Sequence, residues 1–130
     1  MKVLIAEDDF TSRTCILRML EQYGECDITV DGKEAVEAVA IALEDKEPYD
    51  LICLDIMMPE MDGYEALREI RKLEEEYGLQ DEQCSKIIMT TALTDSRNVQ
   101  KAFELGCVAY AGKPIHPQKL EHELRKLSLI

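Results

Sequence analysis

The chain has 130 residues and a formal net charge of −12, from 27 acidic residues against 15 Lys and Arg. That length suits a single domain with a real core. The charge excludes binding through a nucleic-acid backbone or an anionic membrane surface, both of which need cations, and leaves cation binding or a basic protein partner. Along the chain, KVLIA (2–6) is a short continuous apolar run and predicts a buried strand. Ile16, Leu17, Leu20 and Tyr23 recur at helical spacing, stopped by Gly24. CDITV (26–30) is strand-like and Asp31-Gly32 reads as a turn. Ala35, Val36, Val39, Ala40 and Leu43 form a second helical stripe, closed by Pro48. DLICL (50–54) is another buried strand, and Gly63 opens a third helix with Ala66, Leu67, Ile70 and Leu73 inside.

Residues 74–85 are polar and acidic, extending that helix and then looping, with Gly78 as the break. KIIMT (86–90) predicts a fourth strand, Val99, Ala102 and Phe103 a fourth helix closed by Gly106, and CVAYA (107–111) a fifth strand. Pro114 and Pro117 bracket a turn before a last helix marked by Leu120, Leu124 and Leu127. Five βα units with continuous apolar strands imply an α/β fold, a doubly wound parallel sheet covered on both faces. Five cysteines without CxxC spacing read as small hydrophobes in a reducing cytoplasm, with Cys26, Cys53 and Cys107 in strand-like context. The run before the first acids is too short for a secretory leader, and the longest apolar run, 38–43, is too short to span a bilayer.

In such sheets chemistry sits beyond the carboxyl ends of the strands. There the sequence places Glu7-Asp8-Asp9, Asp55, Thr90-Thr91 and Lys113, with Asp9 suited to cap the first helix. Carboxylates converging from neighbouring strands repel one another, and a divalent cation relieves that cost. All-oxygen ligation suits Mg²⁺, with Mn²⁺ a close substitute. A hydroxyl and an ammonium at the same rim suit a phosphoryl group, with the central carboxylate as nucleophile. Other phosphate machinery fails on spacing. There is no GxGxxG, and the Gly106 to Lys113 stretch has Pro114 where a Walker loop needs Ser or Thr. His116 and His122 read as surface residues of the last helix. An aspartyl-phosphate phosphatase of the haloacid dehalogenase type is the competing chemistry, but the second Asp it wants is here Met57.

VLIAEDD, LDIMMPEMDG, IIMTTA and YAGKP, in this order, resemble the receiver domain of two-component response regulators. The resemblance covers essentially the whole chain and implies a five-stranded parallel sheet in order 2-1-3-4-5, with one receiver domain over 1–130 and no output domain. It implies two-component signalling of the bacterial type. The expected activity is a phosphorelay switch rather than an enzyme, which takes a phosphoryl group from a sensor histidine kinase or a histidine phosphotransfer protein and acts on a downstream protein. Asp55 then matches the phosphoacceptor. Asp8, Asp55 and the backbone carbonyl of Met57 match the Mg²⁺ ligands, with Glu7 reaching the ion through water. Thr91 matches the switch hydroxyl, Lys113 the phosphoryl-binding lysine and Tyr110 the aromatic switch, with Pro114 setting the lysine's loop by a cis bond. Met57 and Leu93 occupy positions that tune hydrolysis in this family; both are apolar, so a slowly self-dephosphorylating receiver is expected. A receiver cut from a longer hybrid kinase, and a degenerate interaction module, are the alternative readings, the second opposed by the intact acids, Thr91 and Lys113. The family allows a monomer or a phosphorylation-dependent dimer. The acidic segment Glu74 to Glu82 is the least family-like part and reads as a solvated helix end or a specificity surface.

Overall fold

The computed structural model describes residues 1–93 and 95–130. Five strands, β1 (Lys2–Ala6), β2 (Glu25–Thr29), β3 (Leu51–Leu54), β4 (Lys86–Thr91) and β5 (Ala109–Gly112), alternate with five helices. The helices are α1 (Phe10–Leu20), α2 (Gly32–Glu44), α3 (Gly63–Glu76), α4 (Ser96–Glu104) and α5 (Pro117–Lys126). All paired strands are parallel, in the order β2-β1-β3-β4-β5. Alternate strand residues feed two aliphatic layers. Leu4, Ile52, Leu54, Ile87 and Met89 pack against α2, α3 and α4, while Ile5, Cys53 and Ile88 pack against α1 and α5. No helix among the described residues is long and apolar enough to cross a membrane.

Four helices start on an aspartate. Asp9, Asp31, Asp62 and Asp95 each accept a hydrogen bond from the backbone N–H three residues on, at 2.8–3.0 Å. Each satisfies an orphan donor and places negative charge at the positive end of the helix. Asp31, expected to make a simple turn, is therefore a cap.

Strand boundaries shift where local partners claim the backbone. Val30 leaves β2 because its N–H donates to the Glu34 carboxylate. Cys107 precedes β5 because its N–H closes α4 on the Ala102 carbonyl, while Val108 N–H already donates to the Ile87 carbonyl of β4. β2 is an edge strand, which leaves Ile28 exposed where a doubly covered strand was expected. Cys53 and Cys107 are buried as foreseen, Cys26 and Cys84 are half-buried, Cys15 is exposed, and all five are free.

Within the acidic stretch 74–82 one residue, in the last turn of α3, departs from expectation. Glu74 is buried at 2% exposure rather than solvated. Its carboxylate accepts from Arg71 Nη1 at 2.6 Å and from Ser85 N–H at 2.7 Å. The same guanidinium donates to the Gly106 and Ser85 carbonyls. One side chain thus ties α3 to the start of β4 and to the α4–β5 turn.

Candidate functional site

The rim at the carboxyl ends of the strands is built by backbone pairing that runs past the strands themselves. Glu7 N–H donates to the Thr29 carbonyl and Asp55 N–H to the Ala6 carbonyl, so these acids emerge from adjacent strands at one level. Lys113 N–H donates to the Thr91 carbonyl, which brings the end of β5 to the same edge. The Lys113–Pro114 bond is cis, as the resemblance implied. Gly63 lets α3 start directly against this edge. A Cβ there would stand 2.2 Å from the Asp55 carbonyl oxygen, so only glycine fits.

The predicted residues do come together. Carboxylate oxygens of Glu7, Asp8 and Asp55 lie within 4.8 Å of one another, with Glu7 and Asp55 buried and Asp8 exposed. Lys113 Nζ sits between two of them, 2.8 Å from Glu7 Oε2 and 3.2 Å from Asp55 Oδ2. Burial, reinforced by the Asp55 charge and opposed by Lys113, pushes the Glu7 carboxyl up to about 7. Burial alone would pull the Lys113 ammonium down, but the hydrogen bond it donates to Glu7 and the charges of Asp55 and Glu7 outweigh it and hold it above its usual value. One ammonium thus compensates several carboxylates incompletely, the arrangement expected of a site that takes an added cation.

The remaining predicted residues form a second layer beside this cluster. Thr91 is buried, and its hydroxyl accepts from the Leu93 N–H at 3.3 Å. The Tyr110 hydroxyl donates to the Leu93 carbonyl. Leu93, singled out in the sequence for its side chain, is therefore the backbone point where the Thr91 and Tyr110 hydroxyls meet. Its side chain shares a groove of about 550 Å³ with Met57, Met58 and Tyr64. Met57 itself is 63% exposed, while Met58 is buried and holds the loop down.

Sequence reasoning missed Arg13, whose guanidinium donates to the Glu7 and Asp8 carbonyls at 3.0 and 3.3 Å. The signal was available. With Asp9 as the cap, a long cation one turn into α1 reaches back over the loop that carries both acids. Thr90, placed at the rim with Thr91 but given no role, has a buried hydroxyl that lacks a hydrogen-bond partner among the described residues.

The family model described as the response regulator receiver domain matches residues 3–125. Probable histidine kinase 2 of Oryza sativa subsp. indica is 35% identical over 130 residues, covering 92% of this chain but 12% of that protein. The probable transcriptional regulator ycf27 of Guillardia theta is 37% identical over 125 residues, 95% of this chain and 44% of that protein. The chain thus spans less than half the length of these relatives, and neither ties it to bacteria. Among solved structures, the receiver domain of the histidine kinase CKI1 from Arabidopsis thaliana, complexed with Mg²⁺ and BeF₃⁻, superposes with a TM-score of 0.83 at 32% identity. That match covers 98% of this chain and 89% of the other.

Proposed function

The chain belongs to the family of response regulator receiver domains, and on that footing we propose that Asp55 accepts a phosphoryl group from the phosphohistidine of a sensor histidine kinase or histidine phosphotransfer protein. The observation that carries this reading is Lys113 Nζ held between Glu7 and Asp55, with Asp8 alongside. An Asp55 carboxylate oxygen attacks phosphorus in line, the P–N bond breaks, and its electron pair returns to the imidazole. Lys113 is placed to turn from the Asp55 carboxylate to an oxygen of the incoming group.

The donor set fits a hard divalent cation. It is all oxygen, and it carries more negative charge than Lys113 offsets. Asp8, Asp55 and the Met57 backbone carbonyl would hold Mg²⁺ (Mn²⁺ suits the same donors), with Glu7 acting through water. When bound, the ion supplies neutralisation of the charge on the transferring group. The complex of the CKI1 receiver domain with Mg²⁺ and BeF₃⁻ supports this assignment.

Pairing of Thr91 with the phosphoryl group would take its hydroxyl from the Leu93 N–H, and Tyr110 bonds the carbonyl of the same residue. That shared anchor couples the rim to the face formed by α4, β5 and α5, which addresses the downstream protein. Met57 and Leu93 offer no polar side-chain group to orient a water, so the acyl phosphate persists. Treatment with a small phosphodonor and Mg²⁺, followed by intact mass measurement, tests the reading. One phosphate adduct in the native protein and none in Asp55→Asn is the expected result; an unchanged adduct in Asp55→Asn rejects it.

A second reading, a receiver that works in cis within a longer hybrid kinase, is favoured by one observation. The match covers nearly all of this chain but 12% of probable histidine kinase 2. The length of the native gene product decides between them.

A further inference from the structure

The opposite end of the sheet carries a groove of about 560 Å³ between the end of α2 and the segment after α3. Leu43, Pro48, Tyr77 and Leu79 give it an apolar lining, and Glu44, Asp50 and Glu82 rim it. Lys46 is the single cation among its lining residues. Among the described residues, neither Glu44 nor Glu82 takes part in an ion pair. Tyr77, 49% exposed, lines this groove with its ring half open to solvent.

The wall of this groove is fixed before anything binds. Gly78 at φ +70 ends α3 just beyond Tyr77, and Leu79 N–H returns to the Glu74 carbonyl. Gln80 N–H donates to the Gln83 side-chain oxygen and Gln83 N–H to the Gln80 carbonyl across a short 3₁₀ turn, Asp81–Gln83. The Arg71–Glu74–Ser85 network then pins the segment to the sheet. A wall ordered in advance loses little entropy on binding.

We propose that this groove docks a segment of a partner protein that carries Lys or Arg residues around one apolar anchor. The anchor fills the Leu43–Leu79 lining and stacks on Tyr77, while the cations meet Glu44, Asp50 and Glu82. Charge complementarity selects this occupant. A second copy of this chain would bring another net charge of −12 to an acidic rim, and a purely apolar segment would leave that rim unanswered. The site lies away from the phosphorylation rim, so this proposal does not depend on the chemistry assigned to Asp55.

Titration of the ¹⁵N-labelled protein with a synthetic peptide of repeated Lys-Leu-Lys triplets, followed by amide chemical shifts, tests it. Saturable shifts confined to residues 43–50 and 77–83 are expected. Reversal of both Glu44→Lys and Glu82→Lys weakens binding at least tenfold, or about 1.4 kcal/mol. Tyr77→Ala weakens it by a similar factor while leaving shifts at Glu7 and Asp55 untouched. All three side chains are exposed, so the variants keep the parent melting temperature within a few degrees. Shifts centred on the rim acids or spread over the whole surface would overturn the proposal. So would equal binding by the double reversal, or equal displacement by spermine, which would reveal plain counter-ion binding. A dimer in sedimentation that Tyr77→Ala abolishes would assign the groove to a second copy instead.

Discussion

The two ends of the sheet each hold a buried carboxylate beside a cation, and they use it in opposite ways. At the amino end, Glu74 is fully answered. Arg71 and the Ser85 N–H supply its hydrogen bonds, and the spare donors of Arg71 reach two carbonyls. At the carboxyl end, Glu7 shares one lysine with Asp55, and Asp8 lies within reach with no ion-pair partner among the described residues. A closed network fixes geometry; an under-compensated one keeps a place for ligands. The planar guanidinium of Arg71, with its fork of donors, suits the first task, and the single mobile ammonium of Lys113 suits the second.

The largest effect on stability should come from opening the closed end. Arg71→Ala leaves Glu74 buried and short of its partner, which costs about 3–5 kcal/mol and lowers Tm by roughly 10–20 °C. The folded fraction should still take up a phosphoryl group, since the rim is untouched. Thermal melts together with adduct formation at low temperature check both halves. At the open end, Lys113→Ala should slow phosphoryl transfer about 100-fold with a smaller change in Tm. If it proved as destabilising as Arg71→Ala while sparing transfer, the contrast between the ends would fail.

A smaller effect separates the two ends by pH. The Glu7 carboxyl titrates near 7 in the folded protein against an ordinary 4.5. The folded state therefore holds this proton more tightly than the unfolded state, so the penalty is absent below about pH 4.5 and complete above about pH 7. Without divalent ions, Glu7→Gln should match the native protein near pH 4.5 and exceed it by about 1–3 kcal/mol near pH 8. Mg²⁺ should stabilise the native protein more than the variant. Chemical denaturation at both pH values, with and without the ion, gives the comparison. The smallest effect concerns lifetime: Met57→Glu introduces a group that can orient water, and should shorten the phosphoryl half-life by roughly 10-fold or less, read by the decay of the adduct.

The rim was legible in the sequence because its residues follow apolar runs that could only be strands, and parallel strands end together. KVLIA leads into Glu7 and Asp8, and LICL into Asp55. Placing Lys113 needed the resemblance as well, since nothing local distinguishes it from a solvated loop lysine. The closed end was not legible. Glu74 stands in a run of acids on an amphipathic helix, and pattern alone assigns such a residue to solvent. Its burial depends on a guanidinium one turn away and on Ser85, which joins them only after the loop folds back. The strand ends failed by a residue or two for a related reason: Val30 and Cys107 spend their N–H groups on a neighbouring helix. The meeting of Thr91 and Tyr110 at the Leu93 backbone was likewise invisible, because backbone partners leave no mark on residue type.

The central claim is that the open end delivers Asp55, and no other acid, to a phosphoryl group. Borohydride reduction of the phosphorylated protein converts an aspartyl phosphate to homoserine, which fragment mass spectrometry can place in the chain. Homoserine at position 55 alone is the predicted result. Homoserine at Asp8, a reduced glutamyl phosphate at Glu7, or a phosphate that survives reduction on Thr90 or Thr91 would contradict the account.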